Sequence, residues 1–148
     1  MNKTIVSLVS LVTLVASMYA QHTHRTHTLT REQKVVAITI LAEARGEGNA
    51  GMYAVAAVIA QRAFERKRTP EGVCLKPYQF SCWNGGRIDQ LLAKAKRHPR
   101  FNEALAIVNG TATNYTGGAD HYHADYCNPY WASSMKKTCI IGKHLFYK

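Results

Sequence analysis

An α+β domain, helical through its first part and stranded towards its end, is what this sequence predicts. Three observations carry the expectation. An apolar helical run from Val35 to Leu41 is closed by glycines, an alanine-rich helix follows from about Met52 to Arg66, and at Gly110 the composition turns to Thr, Asn, Gly and Tyr.

The first twenty residues stand apart from that domain. Lys3 precedes an uncharged apolar run from Ile5 to Ala16, and the small residue Ala20 closes it. This is the layout of a secretory signal peptide cleaved after Ala20, and the run is short for a membrane anchor. Residues 21–29 are polar and aperiodic, and His22, His24 and His27 lie in what reads as a flexible tail. Residues 30–148 then suit one domain with one hydrophobic core and no separate binding module.

Thr30 and Gln33 form a capping-box pattern that opens the first helix. Val35, Val36, Ile38, Ile40 and Leu41 put apolar side chains on nearly every side of it, so it should be buried. Gly46 and Gly48 end it, which places Glu43 in its last turn and Glu47 beyond. Desolvation and the negative end of the helix dipole raise the pKa of a carboxyl group in that position, while Arg45 lowers it. A carboxylic acid that keeps its proton near neutral pH is what general acid catalysis needs. The competing reading makes Glu43 and Glu47 a solvated pair four residues apart.

The second helix carries Ala54, Ala56, Ala57, Ala60 and Ala63, small enough for close approach to the first. Beyond Thr69-Pro70, the stretch from Val73 to Gly86 holds Tyr78, Phe80 and Trp83 on a loop, where aromatic rings can stack on sugars or bases. Burial of Phe80 and Trp83 in the core is the alternative. Residues 87–97 and 99–108 read as two more helices broken at His98-Pro99, with their basic side chains on a solvated face.

After Gly110 short strands and turns are expected. Alternation through His121-Tyr122-His123 points the two histidines to one strand face and Tyr122 to the other. Those histidines could ligate zinc with Asp120 or Asp125, but without a third ligand at a suitable spacing, hydrogen-bonding histidines in a polar cleft are preferred. No metal and no cofactor is expected.

Cys74, Cys82, Cys127 and Cys139 fit an oxidising compartment, where an even count reads as disulfides. Three connectivities exist. The favoured one joins Cys74 to Cys82 and Cys127 to Cys139, each closing a short loop worth about 2–4 kcal/mol.

The whole chain carries 19 basic and 9 acidic side chains. Loss of Lys3 with the signal peptide leaves 18 against 9, a net charge of +9 that predicts attraction to a polyanion. Export favours an anionic cell-wall or membrane surface, and nucleic acid is not expected because no nucleic-acid motif accompanies the charge.

Taken together, several motifs resemble the SleB/CwlJ-type cell-wall hydrolases. They are Glu43-Ala-Arg-Gly-Glu47, the helix Ala54 to Arg62, the loop Val73-Cys…Gln79-Phe-Ser-Cys82-Trp83, Gly118-Ala-Asp-His-Tyr-His123 and Ile141-Gly-Lys-His-Leu-Phe-Tyr147. They occur in the family's order and cover nearly all of residues 30–148. The resemblance implies a lysozyme-like fold, with a helical lobe and a small antiparallel β lobe around a glycan cleft. It implies Glu43 as the catalytic acid and the β-1,4 link between N-acetylmuramic acid and N-acetylglucosamine as the bond cut. Some members cut it as lytic transglycosylases. Around Glu43, substrate contacts are expected from Arg45, Glu47, Tyr78, Phe80, Trp83, Tyr122, His123 and Trp131.

The expected partners are peptidoglycan glycan strands and the anionic wall surface, met by a monomer that is secreted or periplasmic. A single-acid mechanism is preferred, because transglycosylation needs one carboxyl group as acid and then base whereas hydrolysis by two carboxylates needs a second beside the bond. The chain departs from the family at Leu41 and Ala42, where members often carry an aromatic residue and a glycine just before the glutamate. The alternative function is a non-catalytic wall- or polyanion-binding protein of the same fold.

Overall fold

Thr30 begins the fold by capping. Its hydroxyl accepts the Gln33 backbone N–H at 3.1 Å, and the Gln33 side chain accepts the Thr30 N–H at 2.8 Å. In the computed structural model, which describes residues 28–110 and 114–148, this box opens α1 (Arg31–Ala44). Val35 through Leu41 are all buried, as an apolar stripe with no polar side demands. The helix is accordingly central: it touches α2 (Gly48–Glu65), α3 (Pro70–Cys74), α4 (Ile88–Lys96) and α5 (Phe101–Asn109). The expected signal peptide and residues 21–27 of the expected tail lie outside the described residues. Among the described residues, no helix is long and apolar enough to cross a membrane.

Only three residues, Arg45 to Glu47, separate α1 from α2. The second helix starts at Gly48, which takes a left-handed φ of 71°, four residues before the position that its alanine pattern marks. α3 is a helical turn that the aromatic loop pattern does not reveal; Thr69 caps it by accepting the Gly72 N–H at 3.0 Å.

Three strands follow, β1 (His121–Ala124), β2 (Lys137–Ile141) and β3 (His144–Tyr147), with a 3-10 turn at Tyr130–Ser134. The sheet is antiparallel in the order β1-β3-β2. Its register places Tyr122 opposite Phe146 and His123 opposite Leu145. The inner face packs on α2: Phe146 and Ala119 meet Ala54 and Val58, flanked by Tyr122, Cys139 and Ile141. Tyr122 also packs against the main helical core, so it sits on the seam between the two lobes. Arg62 fastens that seam, donating from Nε to the Asp120 carbonyl at 2.6 Å. This is an α+β fold of a helical lobe and a small antiparallel β lobe.

Two expectations are corrected by the packing. Phe80 is 3% exposed and belongs to the main core, with the Arg62 guanidinium 5.6 Å from its ring centroid. The backbone at Tyr78 adopts φ 60°, a costly left-handed conformation for a non-glycine residue, and Tyr78 itself is 93% exposed. Tyr78 therefore faces solvent while Phe80 packs inward.

The second correction concerns the cysteines, all four of which are free thiols. Cys139 lies in β2 opposite Phe146, level with Tyr122 across β3, whereas Cys127 follows the far end of β1. Two strand spacings, about 10 Å, already exceed the roughly 7 Å within which Cα atoms can be bridged. Cys74 is fully buried at the end of α3, where burial pushes its thiol up to about 12. Cys82 stays a separate thiol, half-buried in the 3-10 turn Ser81–Trp83.

Candidate active site

The last turn of α1 delivers Glu43 to the seam, and Tyr122 arrives from the inner face of β1. The Tyr122 hydroxyl donates to Glu43 Oε2 at 2.9 Å, joining residues 79 apart in the chain. Tyr122 is itself held by aromatic neighbours. Its ring lies 5.6 Å from that of Phe146 and meets the edge of His144 at 5.3 Å. Burial first, and then the Glu43 carboxylate beside it, push the phenol well above its ordinary value. Tyr122 thus keeps its proton and acts as a fixed donor. Among the described residues Glu43 Oε1 makes no hydrogen bond, so it is the oxygen left for a ligand.

One turn earlier on the same helix, Thr39 anchors the aromatic loop. Its buried hydroxyl donates to the Val35 carbonyl at 2.8 Å and accepts the Trp83 indole N–H at 2.9 Å. Residues 39 and 43 share a helix face, so the bond fixes Trp83 near the Glu43 turn. Trp83 also lines a surface hollow of about 490 Å³, together with Tyr78, Asn84 and Gly85 among others. Cys82 lies close as well. Burial and the Glu43 carboxylate push its thiol up to about 11, so it stays protonated at neutral pH and is no nucleophile.

Glu47 has a different task from Glu43. Its Oε2 accepts the backbone N–H of Lys143 at 2.8 Å, clamping the turn between β2 and β3 onto the turn between α1 and α2. Gly142 makes this approach possible: it takes φ 58°, and a Cβ there would overlap the Glu47 carboxylate. Glu47 thus holds the hairpin in place.

The family model for cell wall hydrolases matches residues 46–147, more than half of the chain. The chain belongs to this family. Two solved structures are similar to this wall hydrolase. The catalytic domain of the germination-specific lytic transglycosylase SleB from Bacillus anthracis is 26% identical, with a TM-score of 0.63 over 83% of this chain and 98% of that one. The catalytic domain of the Bacillus cereus SleB protein is also 26% identical, with a TM-score of 0.59 over 85% and 99%. No curated protein sequence matches the chain.

In this wall hydrolase the remaining predicted contacts divide by position. Tyr78 and Trp83 line the hollow, and Arg45 is exposed at the end of α1. His123 and Trp131 lie on the other face of the sheet from Tyr122, away from Glu43. There His123 stacks on Tyr147 at 5.2 Å, and Trp131 packs edge-on against His123 and Tyr147 and tilted against His121. His123 Nδ1 lies 2.8 Å from the Ala124 carbonyl and Nε2 lies 3.0 Å from the Tyr147 hydroxyl. A donor at Nδ1 and an acceptor at Nε2 satisfy both contacts. Asp120 is likewise engaged, 2.7 Å from His121 Nδ1. No group of three potential metal ligands occurs among the described residues.

Thr39, Arg62 and His144 contribute to the site without having been singled out as site residues. Thr39 had one signal, a hydroxyl inside an otherwise apolar helical run. Arg62 is buried, and its desolvation lowers its pKa from the ordinary arginine value while the nearby Tyr122 opposes that shift.

Proposed function

We propose that this wall hydrolase is an exported enzyme that cleaves the N-acetylmuramic acid to N-acetylglucosamine β-1,4 bond of peptidoglycan, as a lytic transglycosylase with Glu43 as acid and then base. The observation that carries this reading is the Tyr122–Glu43 hydrogen bond. Because Oε2 accepts the phenolic proton, the carboxylic proton belongs on Oε1, which faces a ligand with no competing protein partner among the described residues. Protonation of the glycosidic oxygen by Oε1 breaks the C1–O bond and leaves an oxocarbenium-like muramic residue. The Glu43 carboxylate then removes the proton from that sugar's C6 hydroxyl, whose oxygen bonds to C1 and closes a 1,6-anhydro ring. Glu43 ends the cycle protonated, and no water is consumed.

A second carboxylate would be needed to direct water in hydrolysis. Two other acids are engaged by the protein itself, Glu47 by the hairpin and Asp120 by His121, which favours the single-acid route. The lytic transglycosylase named among the similar structures points the same way. Trp83 and Tyr78 offer rings for stacking on the glycan, and the net positive charge draws the protein to the anionic wall.

The test is digestion of purified peptidoglycan by the protein and by Glu43→Gln, with the fragments analysed by mass spectrometry. Anhydro-muramic ends from the wild type and none from Glu43→Gln are expected. Equal release by both proteins removes Glu43 from its role, and reducing ends in place of anhydro ends make the reaction a hydrolysis.

A further inference from the structure

Beside the Glu43 turn, between α1 and α4, runs a groove of about 300 Å³ that the cleavage reaction does not use. Leu41, Leu91 and Ala95 contribute apolar side chains to its lining, and Arg45, Lys94 and His98 contribute basic ones. Arg45 and Lys94 are exposed and pair with no acidic side chain among the described residues. His98 Nδ1 accepts the Arg100 backbone N–H at 3.2 Å, which leaves Nε2 as the protonated nitrogen of the neutral ring and so a donor. Ala42 and Arg45, which flank Glu43, line the groove with Cys82, whose neighbour Trp83 is anchored on α1 by Thr39, so the groove runs beside the Glu43 turn. Three cationic or donor groups around an apolar lining suit an extended ligand with both carboxylates and aliphatic groups.

We propose that this groove is a subsite for the acidic peptide stem carried by the muramic residue bound at Glu43. The inference rests on the reading of Glu43 as the residue that meets the glycan. The stem's alanine methyls and aliphatic chains cover Leu41, Leu91 and Ala95, and its carboxylates meet Arg45, Lys94 and His98. A wall phosphate polymer supplies the negative charge but has no apolar groups for the lining, so the peptide fits better.

Isothermal titration of the protein with a muramyl tripeptide, and with the same compound carrying amidated carboxylates, tests the subsite without needing turnover. Exposed ion pairs of this kind predict about fivefold tighter binding of the acidic form at low salt. That advantage should vanish in 0.5 M salt and in Lys94→Glu, and Arg45→Ala should reduce it, with circular dichroism reporting that each variant is folded. Equal affinity for the two forms, an unchanged advantage in Lys94→Glu, or glycerol phosphate binding as tightly as the peptide overturns the proposal. The two readings separate cleanly. A protein that cuts strands yet binds both peptide forms alike refutes the subsite alone, and one that binds the acidic form selectively yet cuts no strand refutes the cleavage chemistry and keeps the subsite.

Discussion

Tyr122 donates its phenolic proton to Glu43 Oε2 at 2.9 Å, so the β lobe determines which oxygen of the candidate acid is free. Tyr122→Phe keeps the ring that packs on Phe146 and removes only the donor. A hydrogen bond to a charged group is worth about 1.5–3 kcal/mol, and the loss falls on the step in which Glu43 is a carboxylate. The expected result is a kcat lower by about tenfold or more with KM little changed, measured on soluble glycan strands. A KM effect with kcat intact would make Tyr122 a binding residue instead.

Trp83 reaches the site through Thr39. Replacing Trp83 with Phe leaves the buried Thr39 hydroxyl without its donor and the hollow without its largest ring. A cost of about 1–2 kcal/mol in stability is expected, measured by urea denaturation. A higher KM on glycan strands should accompany it. Trp83→Phe with unchanged KM would take the hollow out of the binding path.

Glu43 and Tyr122 show how much of the site is legible in the sequence. Glu43 was legible because an apolar helix closed by glycines places it in one turn, and Tyr122 was separated from His121 and His123 by the two-residue period of a strand. Which strand face turns inward depends on α2, whose Ala54 and Val58 receive Phe146, and nothing in His121-Tyr122-His123 itself encodes that. His123, expected in the cleft, instead packs with Trp131 and Tyr147 on the sheet face opposite Tyr122. Phe80 packs into the core while Tyr78, two residues earlier on the same loop, faces solvent, and the loop's composition leaves both placements open for a phenylalanine. Glu47 meets its partner 96 residues away, a distance over which local pattern carries no information.

The Glu47 clamp leads to a prediction on stability rather than chemistry. Gly142→Ala forces a side chain into a left-handed backbone conformation and against the Glu47 carboxylate. A loss of about 1–3 kcal/mol is expected, read as a lower midpoint in urea denaturation. Glu47→Ala frees the Lys143 N–H and should also loosen the β2–β3 turn, seen as faster amide exchange at Lys143. Unchanged exchange there would mean that the sheet positions the hairpin without Glu47.

The free cysteines make the last prediction one of pH. Burial raises Cys74 from 9.0 to about 12, and burial with Glu43 raises Cys82 from 9.0 to about 11. In the unfolded chain both thiols ionise near their ordinary value, so folding favours the protonated forms. That stability is fully present below about pH 9 and is lost as pH rises through the folded values, between about 9 and 12. Unfolding free energy should therefore fall steeply across this window. Cys74→Ala should flatten the fall while leaving a small cavity penalty at neutral pH. Thiol titration of the native protein provides the companion measurement: exposed Cys127 should react at once and buried Cys74 only on unfolding. A reductant should not shift the melting temperature, because no crosslink is there to break, and a large shift would show that two of these thiols pair after all.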